Sequence, residues 1–565
     1  MTSMVKSFLK TILRYKSLGI ISVILMIVVT TCLEVFSVLG ASVLVSLLTM
    51  QNPTSFESSH WLEQAYLDTF GYQMALMVPL LVLITAPISK IYLFKKLFAY
   101  TMRIEAVLQN DILLTFLKRN YLNQKTENKA VLFKDILNET AEYIHSGLLP
   151  FIMLIYGLFS TLFLVLVLSF YDFRVMVVLF LCVFTLFAFT SVFLAKKISL
   201  AGENREKYTE QKFSLLDFLL NNIPQVSLTK NKSNILESFK IAAFETGTAY
   251  SNSLSYSQLP RLMMETVVYV IAALLLLLIT SDIIESFSMS LIPVYLVGFM
   301  KLIPALNLVY QNLTTIRFVK PAVDKVSILL STIKHDKKES PKYSIDYFDK
   351  IGNRVIELEK VSFGYSNKDI LHKDLDLVIE KNDWIFIQGQ SGSGKSTFVE
   401  IVLGLIPPVS GKISWIKTLE TSEIQYLSQG SNYKTGNLQE YSVLFGEKNE
   451  YISHDFGNLL NMLELNIKQL DNYSTWCDLE LATLSGGEFQ RIQLFLSLLQ
   501  NPKILILDEA TNAIDRELER KILTELQMSM KFITLHISHG NMLPGIYSKS
   551  LTFNANGSMK KTELQ

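Results

Sequence analysis

The chain has 565 residues, 50% of them hydrophobic and 18% charged, with a formal net charge of +1. Such a length has room for more than one domain, and the hydrophobic share is high for a soluble protein of this size. A balance so near neutral gives no bulk field for nucleic acid. The three cysteines, Cys32, Cys182 and Cys477, lie far apart, which argues against a disulfide framework and for small core residues.

Polar residues are unevenly spread: residues 18 to about 315 carry long apolar runs, and the remainder alternates as a globular α/β domain does. At the N-terminus, Lys6, Lys10, Arg14 and Lys16 precede an apolar run and so imitate a secretory signal. The run from Leu18 to Met50 is far longer than the apolar region of a signal and has no small-residue cleavage pattern, so it reads as an uncleaved first span. Six stretches are each long enough to cross a bilayer: roughly 18–49, 73–98, 148–170, 175–195, 263–280 and 288–312. The N-terminal segment and the 95–147 and 196–261 connections are rich in Lys and Arg, whereas 51–72 and 281–287 have none and 171–174 has only Arg174. By the positive-inside rule both termini are expected in the cytoplasm, with the chain an integral membrane protein.

The two basic connections read as helical continuations of the spans, with Phe213, Leu215, Leu216, Phe218, Leu219 and Leu220 at helical spacing. Their tips are expected near Tyr121 to Ala130 and near Lys212 to Asn222. Between the first two spans, Trp61, Leu62, Ala65 and Tyr66 share one helical face, which suits either a short interfacial helix or a structured loop. Charged groups at spans are costly in lipid: Glu34, Lys90, Glu265 and Lys301. Lys90 lies near a basic end and can snorkel. For Glu34 and Lys301, a cavity or substrate contact stands beside a structural pair between helices. Residues 331–351, polar and turn-rich, read as a linker.

Beyond the linker, Trp384-Ile385-Phe386-Ile387 reads as a buried strand and Thr397 to Leu405 as a helix. Between them lies Gly389-Gln390-Ser391-Gly392-Ser393-Gly394-Lys395-Ser396-Thr397, the phosphate-binding G-x-x-x-x-G-K-[ST] in the context the motif requires. Its glycines let backbone N–H groups close on phosphates, Lys395 reaches the β- and γ-phosphates, and the Ser396 hydroxyl can ligate Mg²⁺. Downstream, Ile504 to Leu507 reads as a strand ending in Asp508, placed for Mg²⁺, and Glu509, placed to activate water. Leu484-Ser485-Gly486-Gly487-Glu488 opens another helix, and His539 follows the apolar strand Phe532 to Ile537, within reach of a γ-phosphate.

In this order after a phosphate loop, these features resemble the ATP-binding cassette family, with ATP and Mg²⁺ as the implied cofactors. The resemblance implies a membrane all-α six-helix transmembrane domain followed by an α/β P-loop ATP-binding cassette domain. Residues 1–330 would be the transmembrane domain, 331–351 the linker and 352–565 the cassette, the layout of an exporter half-transporter. It implies that Tyr365 stacks on adenine and that Gln429 senses Mg²⁺ and the membrane domain. Ser485, Gly486 and Gly487 would close on the nucleotide of the opposite subunit, with Asp515 as the D-loop aspartate and His539 as the switch histidine. A complete motif set in one chain implies a homodimer in the lipid bilayer, with no nucleic acid partner.

Three features depart from the family pattern. Glu488 stands where Gln is usual, a change expected to matter little. The 411–429 stretch is short, which trims the small β-subdomain, and 472–483 replaces the usual glycine-bearing segment before the signature. Short patterns around Glu34, Phe116-Leu117, Arg261, Glu265 and Lys301 resemble bacterial flippases of lipid-linked oligosaccharides, so the expected cargo is an amphiphile of that class, with Glu34, Arg261, Glu265 and Lys301 as candidates along its path. Export of a peptide, another lipid or a drug stands beside this, as does a cassette that gates or anchors a partner without transport. A soluble cassette acting on nucleic acid is opposed by the six spans.

Overall fold

The computed structural model describes residues 2–49, 61–118, 121, 128–170, 173–230, 232–280, 292–335, 345–349, 352–366, 369–428, 436–442, 456–465, 479–554 and 558–564. The chain divides into two compact units, Met1–Arg119 with Gln124–Lys338, and Asn120–Asn123 with Glu339–Gln565.

The first unit is helical because its apolar runs can satisfy their own backbone groups in lipid only as helices. Helix α1 (Thr2–Arg14) buries Met4, Phe8 and Thr11 and exposes Leu9 and Leu13. There follow α2 (Ile20–Thr49), α3 (Trp61–Lys118), α4 (Lys129–Ser169), α5 (Phe173–Asn221), the short α6 (Ile223–Leu228), α7 (Lys232–Thr280), α8 (Ile292–Phe318) and α9 (Lys320–His335). The six expected spans overlap α2, α3, α4, α5, α7 and α8, with residues 288–291 of the last lying outside the described residues. Among the described residues, Ile20–Val38 and Lys129–Ser169 are long and apolar enough to cross a membrane.

The structure moves several expected boundaries. Residues 61–70, weighed as a separate interfacial helix or a loop, are the opening turns of α3. Helix α5 runs to Asn221, so the second tip lies in 222–231 rather than 212–222. The leucines keep their spacing to Leu220, and the break comes at Asn222 and Pro224, whose ring cannot continue the preceding turn. Helix α4 begins where the Asn128 side chain accepts from the Ala130 N–H at 2.9 Å, an N-cap. Helix α9 carries into the stretch expected to be linker.

The second unit is built on two sheets. Strands β1 (Asp346–Phe348), β2 (Arg354–Ser366), β3 (Asp369–Glu380) and β5 (Ser410–Ile416) form one, in the order β1-β5-β2-β3. Strand β1 lies inside the expected linker and pairs in parallel with β5. The second sheet contains β4 (Trp384–Gly389), β6 (Ile424–Leu427), β7 (Ile504–Asp508), β8 (Ile533–Ile537), β9 (Lys549–Phe553) and β10 (Met559–Glu563), in the order β10-β9-β4-β8-β7-β6. It is parallel except for β10 against β9. Its strands β4, β7 and β8 are buried on both faces, with β4 and β7 close to continuous apolar runs and β8 carrying buried Thr534 and His536. The helices α10 (Lys395–Val402), α11 (Leu438–Ser442), α12 (Phe456–Met462), α13 (Gly486–Leu499) and α14 (Arg516–Ser529) complete the unit. Two apolar clusters form its core: one around Phe363, Ile387 and Phe398, the other around Phe386, Phe495 and Leu523. Tyr121 belongs to this unit, and its hydroxyl donates to Glu400 of α10 at 3.1 Å.

Charge is buried in the helical unit where α4, α5 and α9 pack. Lys134, Glu139 and Arg205 are each fully buried; Arg205 donates to Glu139 at 3.3 Å, and Lys134 lies 3.6 Å from Glu139 and 3.2 Å from Glu210. Lys325 adds a pair with Asp135 at 3.0 Å. Lys134 and Glu139 bound the first of two π-helical stretches in α4, Lys134–Glu139 and Tyr143–Leu148, whose wider turn is uncommon outside functional or strained places. Breaking such a cluster from one side leaves buried charge uncompensated. Arg205→Met is therefore expected to cost about 3–5 kcal/mol. The double variant Arg205→Met with Glu139→Leu should recover most of it, read by thermal unfolding of the purified chain in detergent.

Candidate active site

The phosphate loop leaves the C-terminal end of β4 and enters α10, so it sits at the carboxyl edge of a parallel sheet, where ligands of such folds bind. Gly392 and Gly394 have φ of +80° and +90°, a region that side chains disfavour, and this turns successive N–H groups inward. Lys395 is 6% exposed and folds back over the loop, donating to the Gly389 and Gln390 carbonyls at 2.9 and 3.0 Å. Burial holds its ammonium below the usual lysine range, while Glu509 and Asp508 pull it up. Helix α10 begins two residues earlier than the sequence predicts and stops at Val402, where the chain turns through Leu403 and Gly404.

Strand β7 delivers Asp508 and Glu509 to the same edge. Asp508 is 3% exposed: its Oδ2 accepts from the Tyr426 hydroxyl at 3.0 Å, and the Ser396 hydroxyl also bonds it. Burial pushes this carboxyl up, and the two hydroxyls pull it back. Its Oδ1 is buried without a hydrogen-bond partner. An unpartnered carboxylate oxygen beside a serine hydroxyl fits the hard oxygen donors that Mg²⁺ prefers. Glu509 has φ of +53°, strained for a side chain of its size. Its Oε1 lies 2.9 Å from His539 Nε2, and its Oε2 accepts from Asn512 Nδ2 at 3.0 Å. The loop lysine, Asp508, Glu509 and His539 are thus brought together, as the sequence predicts.

Ser485 is the N-cap of α13, and Glu488 closes a reciprocal capping box. The Glu488 carboxylate accepts from the Ser485 N–H at 2.8 Å, and the Ser485 hydroxyl from the Glu488 N–H at 3.3 Å. Glu488 thus caps the helix, a role the usual Gln would also fill, and its bonds to Ser485 hold its carboxyl below the usual glutamate range. Gly487 is required by packing, since a Cβ there would stand 2.7 Å from the Ala513 carbonyl. Asp515 is the N-cap of α14, accepting from the Glu517 N–H at 3.1 Å. Ser485, Gly487, Arg491, Ala513 and Asp515 line an open cleft of about 430 Å³.

Other predicted residues stand apart. Tyr365 lies on β2, its side chain outside the described residues; Gln429 lies outside them altogether, as do 472–478. The short 411–429 stretch holds β5, a brief 3₁₀ turn at Thr421–Glu423 and β6. In the helical unit Glu34 pairs with Lys90 at 2.9 Å and accepts from Ser160 at 3.0 Å, so Lys90 is held by a carboxylate rather than simply snorkelling. Arg261 and Lys301 are exposed on α7 and α8, and Glu265 lies on α7 with its side chain outside the described residues. Sequence reasoning missed Tyr426, Asn512 and His372. His372 is buried beneath the loop, with Nε2 2.8 Å from the Ser393 carbonyl. Asn512 follows Glu509 by three residues and so had a local signal; Tyr426 and His372 come from other strands and had none.

The family model described as ABC transporter matches residues 372–512. The chain is 33% identical over 180 residues to the molybdate/tungstate import ATP-binding protein WtpC of Methanocaldococcus jannaschii, covering 30% of this chain and 59% of that protein. It is 32% identical over 222 residues to a putative ABC transporter ATP-binding protein of Clostridium tetani, covering 36% and 48%. With the energy-coupling factor transporter ATP-binding protein EcfA1 of Staphylococcus aureus it shares 32% identity over 203 residues, 33% of this chain and 74% of that protein. The chain thus spans about half to three-quarters of these relatives. A solved structure of a bacterial Atm1-family ABC exporter with ATP bound aligns over 96% of this chain and 95% of its own, with a TM-score of 0.72 and 15% identity. That likeness covers the helical region and the cassette together, and so gives the fold of the whole chain.

Tyr426 generates a test, because it alone bonds Asp508 from β6. Without that hydroxyl the buried carboxyl loses one group holding it ionised, so Tyr426→Phe is expected to weaken Mg²⁺-dependent nucleotide binding by about 1–2 kcal/mol, or roughly tenfold. Titration of Mg²⁺ against a fluorescent ATP analogue measures it.

Proposed function

The chain belongs to the ABC transporter superfamily, and on that premise we propose that it is an exporter-type half-transporter that hydrolyses ATP to move an amphiphile across the cytoplasmic membrane. The observation that carries the reading is the contact of Glu509 with His539 at 2.9 Å, at the same sheet edge as the phosphate loop. ATP would lie with its phosphates against the 389–397 backbone and Lys395, and Ser396 and Asp508 are the residues that would hold Mg²⁺, with Gln429 as the family's further candidate. The cation, when bound, would supply positive charge that offsets the charge of the phosphates. Glu509 accepts the proton of the attacking water, its carboxylate oriented by Asn512 and His539, and His539 stands at the edge where the γ-phosphate would lie.

The signature cleft at Ser485 to Gly487 is a surface that a second chain completes. We read the working unit as a homodimer of twelve spans with two equivalent sites, each pairing the phosphate loop of one chain with the signature of the other. Tyr365 is assigned to the adenine, Asp515 to the dimer face, and both termini to the cytoplasm. A monomeric mass in detergent with full ATPase activity would contradict this.

For cargo we favour a lipid-linked oligosaccharide, whose pyrophosphate needs cations along a path of about 30 Å of hydrocarbon. Arg261 and Lys301, exposed on membrane helices, are the candidates, with Glu265 near Arg261 and Glu34 engaged by Lys90. Exposed cations on such helices are costly unless they face a cavity or a partner, which supports the assignment.

Two measurements test these readings. Glu509→Gln should bind ATP yet lose about 10²–10⁴-fold in turnover, whereas Lys395→Ala should weaken ATP binding itself. Wild-type turnover by Glu509→Gln would sink the base assignment. In reconstituted membranes, Arg261→Ala and Lys301→Ala should lose cargo movement while ATP hydrolysis without cargo continues. Transport at the wild-type rate by both, or a cationic peptide as the cargo that stimulates hydrolysis, would overturn the pyrophosphate assignment and leave the ATPase reading standing.

A further inference from the structure

Beneath Glu509 lies a polar chain that the phosphate chemistry does not itself use. His536 of β8 is 1% exposed; its Nε2 is 3.2 Å from the Thr511 hydroxyl and its Nδ1 2.7 Å from the Tyr547 hydroxyl. The Thr511 hydroxyl donates to Glu519 of α14. Thr511 is 3% exposed and Tyr547 6%. Four residues from four separate segments therefore meet inside the second unit, where unpaired polar groups are expensive.

Proton counting gives the chain one direction. A threonine hydroxyl has one hydrogen, and Thr511 gives it to Glu519, so its oxygen accepts from the ring and His536 carries its proton on Nε2. Nδ1 is then an acceptor and takes the Tyr547 hydrogen. Tyr547 donates to His536, His536 to Thr511, and Thr511 to Glu519, each hydrogen used once and the ring neutral. Burial agrees, since it pushes the imidazole down to about 4.

The two ends of the site hang from this chain. Thr511 lies two residues after Glu509 and directly before Asn512, which donates to the Glu509 carboxylate; His536 lies three residues before His539, the other partner of that carboxylate. The Glu509 N–H donates to the Ile537 carbonyl at 3.0 Å, between the two histidines. The turn continues to Ala513, whose N–H donates to Gln490 of α13 at 2.9 Å, and to Asp515, the cap of α14. Fixing Thr511 to His536 thus sets the distance between the β7 and β8 turns, and with it the spacing of Glu509 and His539.

We propose that Tyr547, His536, Thr511 and Glu519 are positioning residues for hydrolysis, a buried one-way hydrogen-bond chain that holds Glu509 and His539 in register; this rests on the hydrolytic reading above. None of the four touches the nucleotide, so the expected signature is a fall in turnover without a fall in affinity.

The test compares Thr511→Val, Thr511→Ser and Tyr547→Phe in the full-length chain reconstituted in membranes, with ATPase kinetics, binding of a fluorescent ATP analogue and thermal unfolding measured together. Thr511→Val keeps the shape and removes the hydroxyl; we expect kcat to fall roughly tenfold or more with KM within about twofold, because small misplacements of reacting groups cost rate steeply. Thr511→Ser restores the donor and acceptor and should return most of the turnover. Tyr547→Phe removes one terminal hydroxyl and should lower kcat several-fold at unchanged KM, which decides the matter if Thr511→Val fails to fold. Unchanged kcat in Tyr547→Phe and Thr511→Val, a parallel loss of analogue binding, or no recovery in Thr511→Ser would overturn the proposal while parent turnover leaves the hydrolytic reading intact. A parent chain that binds ATP and never hydrolyses it would overturn both.

Discussion

The parallel register of β7 with β8 is the constraint on which the site depends. Asp508 pairs with Ile537 across the two strands, so their ends stop together and the turns that follow leave the sheet side by side. Two groups far apart in sequence, Glu509 and His539, then need only short turns to meet at 2.9 Å. The positive φ at Glu509 is the local expense of that arrangement, and it is tolerated because the surrounding bonds over-determine the turn. With β4 beside β8, the phosphate loop arrives at the same edge, so one sheet supplies the loop, Asp508, Glu509 and the approach to His539.

The helical unit solves a different problem. Its polar anchors include the cluster of Lys134, Glu139 and Arg205 and the pair of Glu34 with Lys90. Each joins one long helix to the next, α4 to α5 and α2 to α3. Ion pairs in such surroundings contribute little net stability but penalise wrong pairings heavily, because a slipped helix would strand a charge. They fix which helix faces which.

Much of this was legible in the sequence, for reasons that differ by residue. The phosphate loop and the Asp508-Glu509 pair are local, and local spacing with flanking apolar runs reports the backbone directly. The helices were legible as apolar runs, and their ends less so: α5 continues to Asn221, with Leu220 exposed, and the break comes only as the chain reaches Pro224. Strand β1 was hidden in polar sequence since three residues at a sheet edge need no apolar pattern. The cap that Glu488 forms was legible in principle, since Ser485 with an acid or amide three residues on is the capping-box pattern, which Gln would close as well. Tyr426, His372 and His536 were invisible for one reason: each reaches its partner across the fold, and a lone polar residue in an apolar strand does not announce a neighbour from another strand.

Gly202 has a mechanical meaning. A Cβ there would come within 2.1 Å of the Phe318 carbonyl, so the backbones of α5 and α8 are in direct contact where they cross. Two helices pressed together without side chains between them have no compliant layer in which to slide, because packed interiors transmit displacement rather than absorb it. At this crossing the spacing of α5 and α8 is set by backbone alone, and any side chain in place of Gly202 would force the two helices apart.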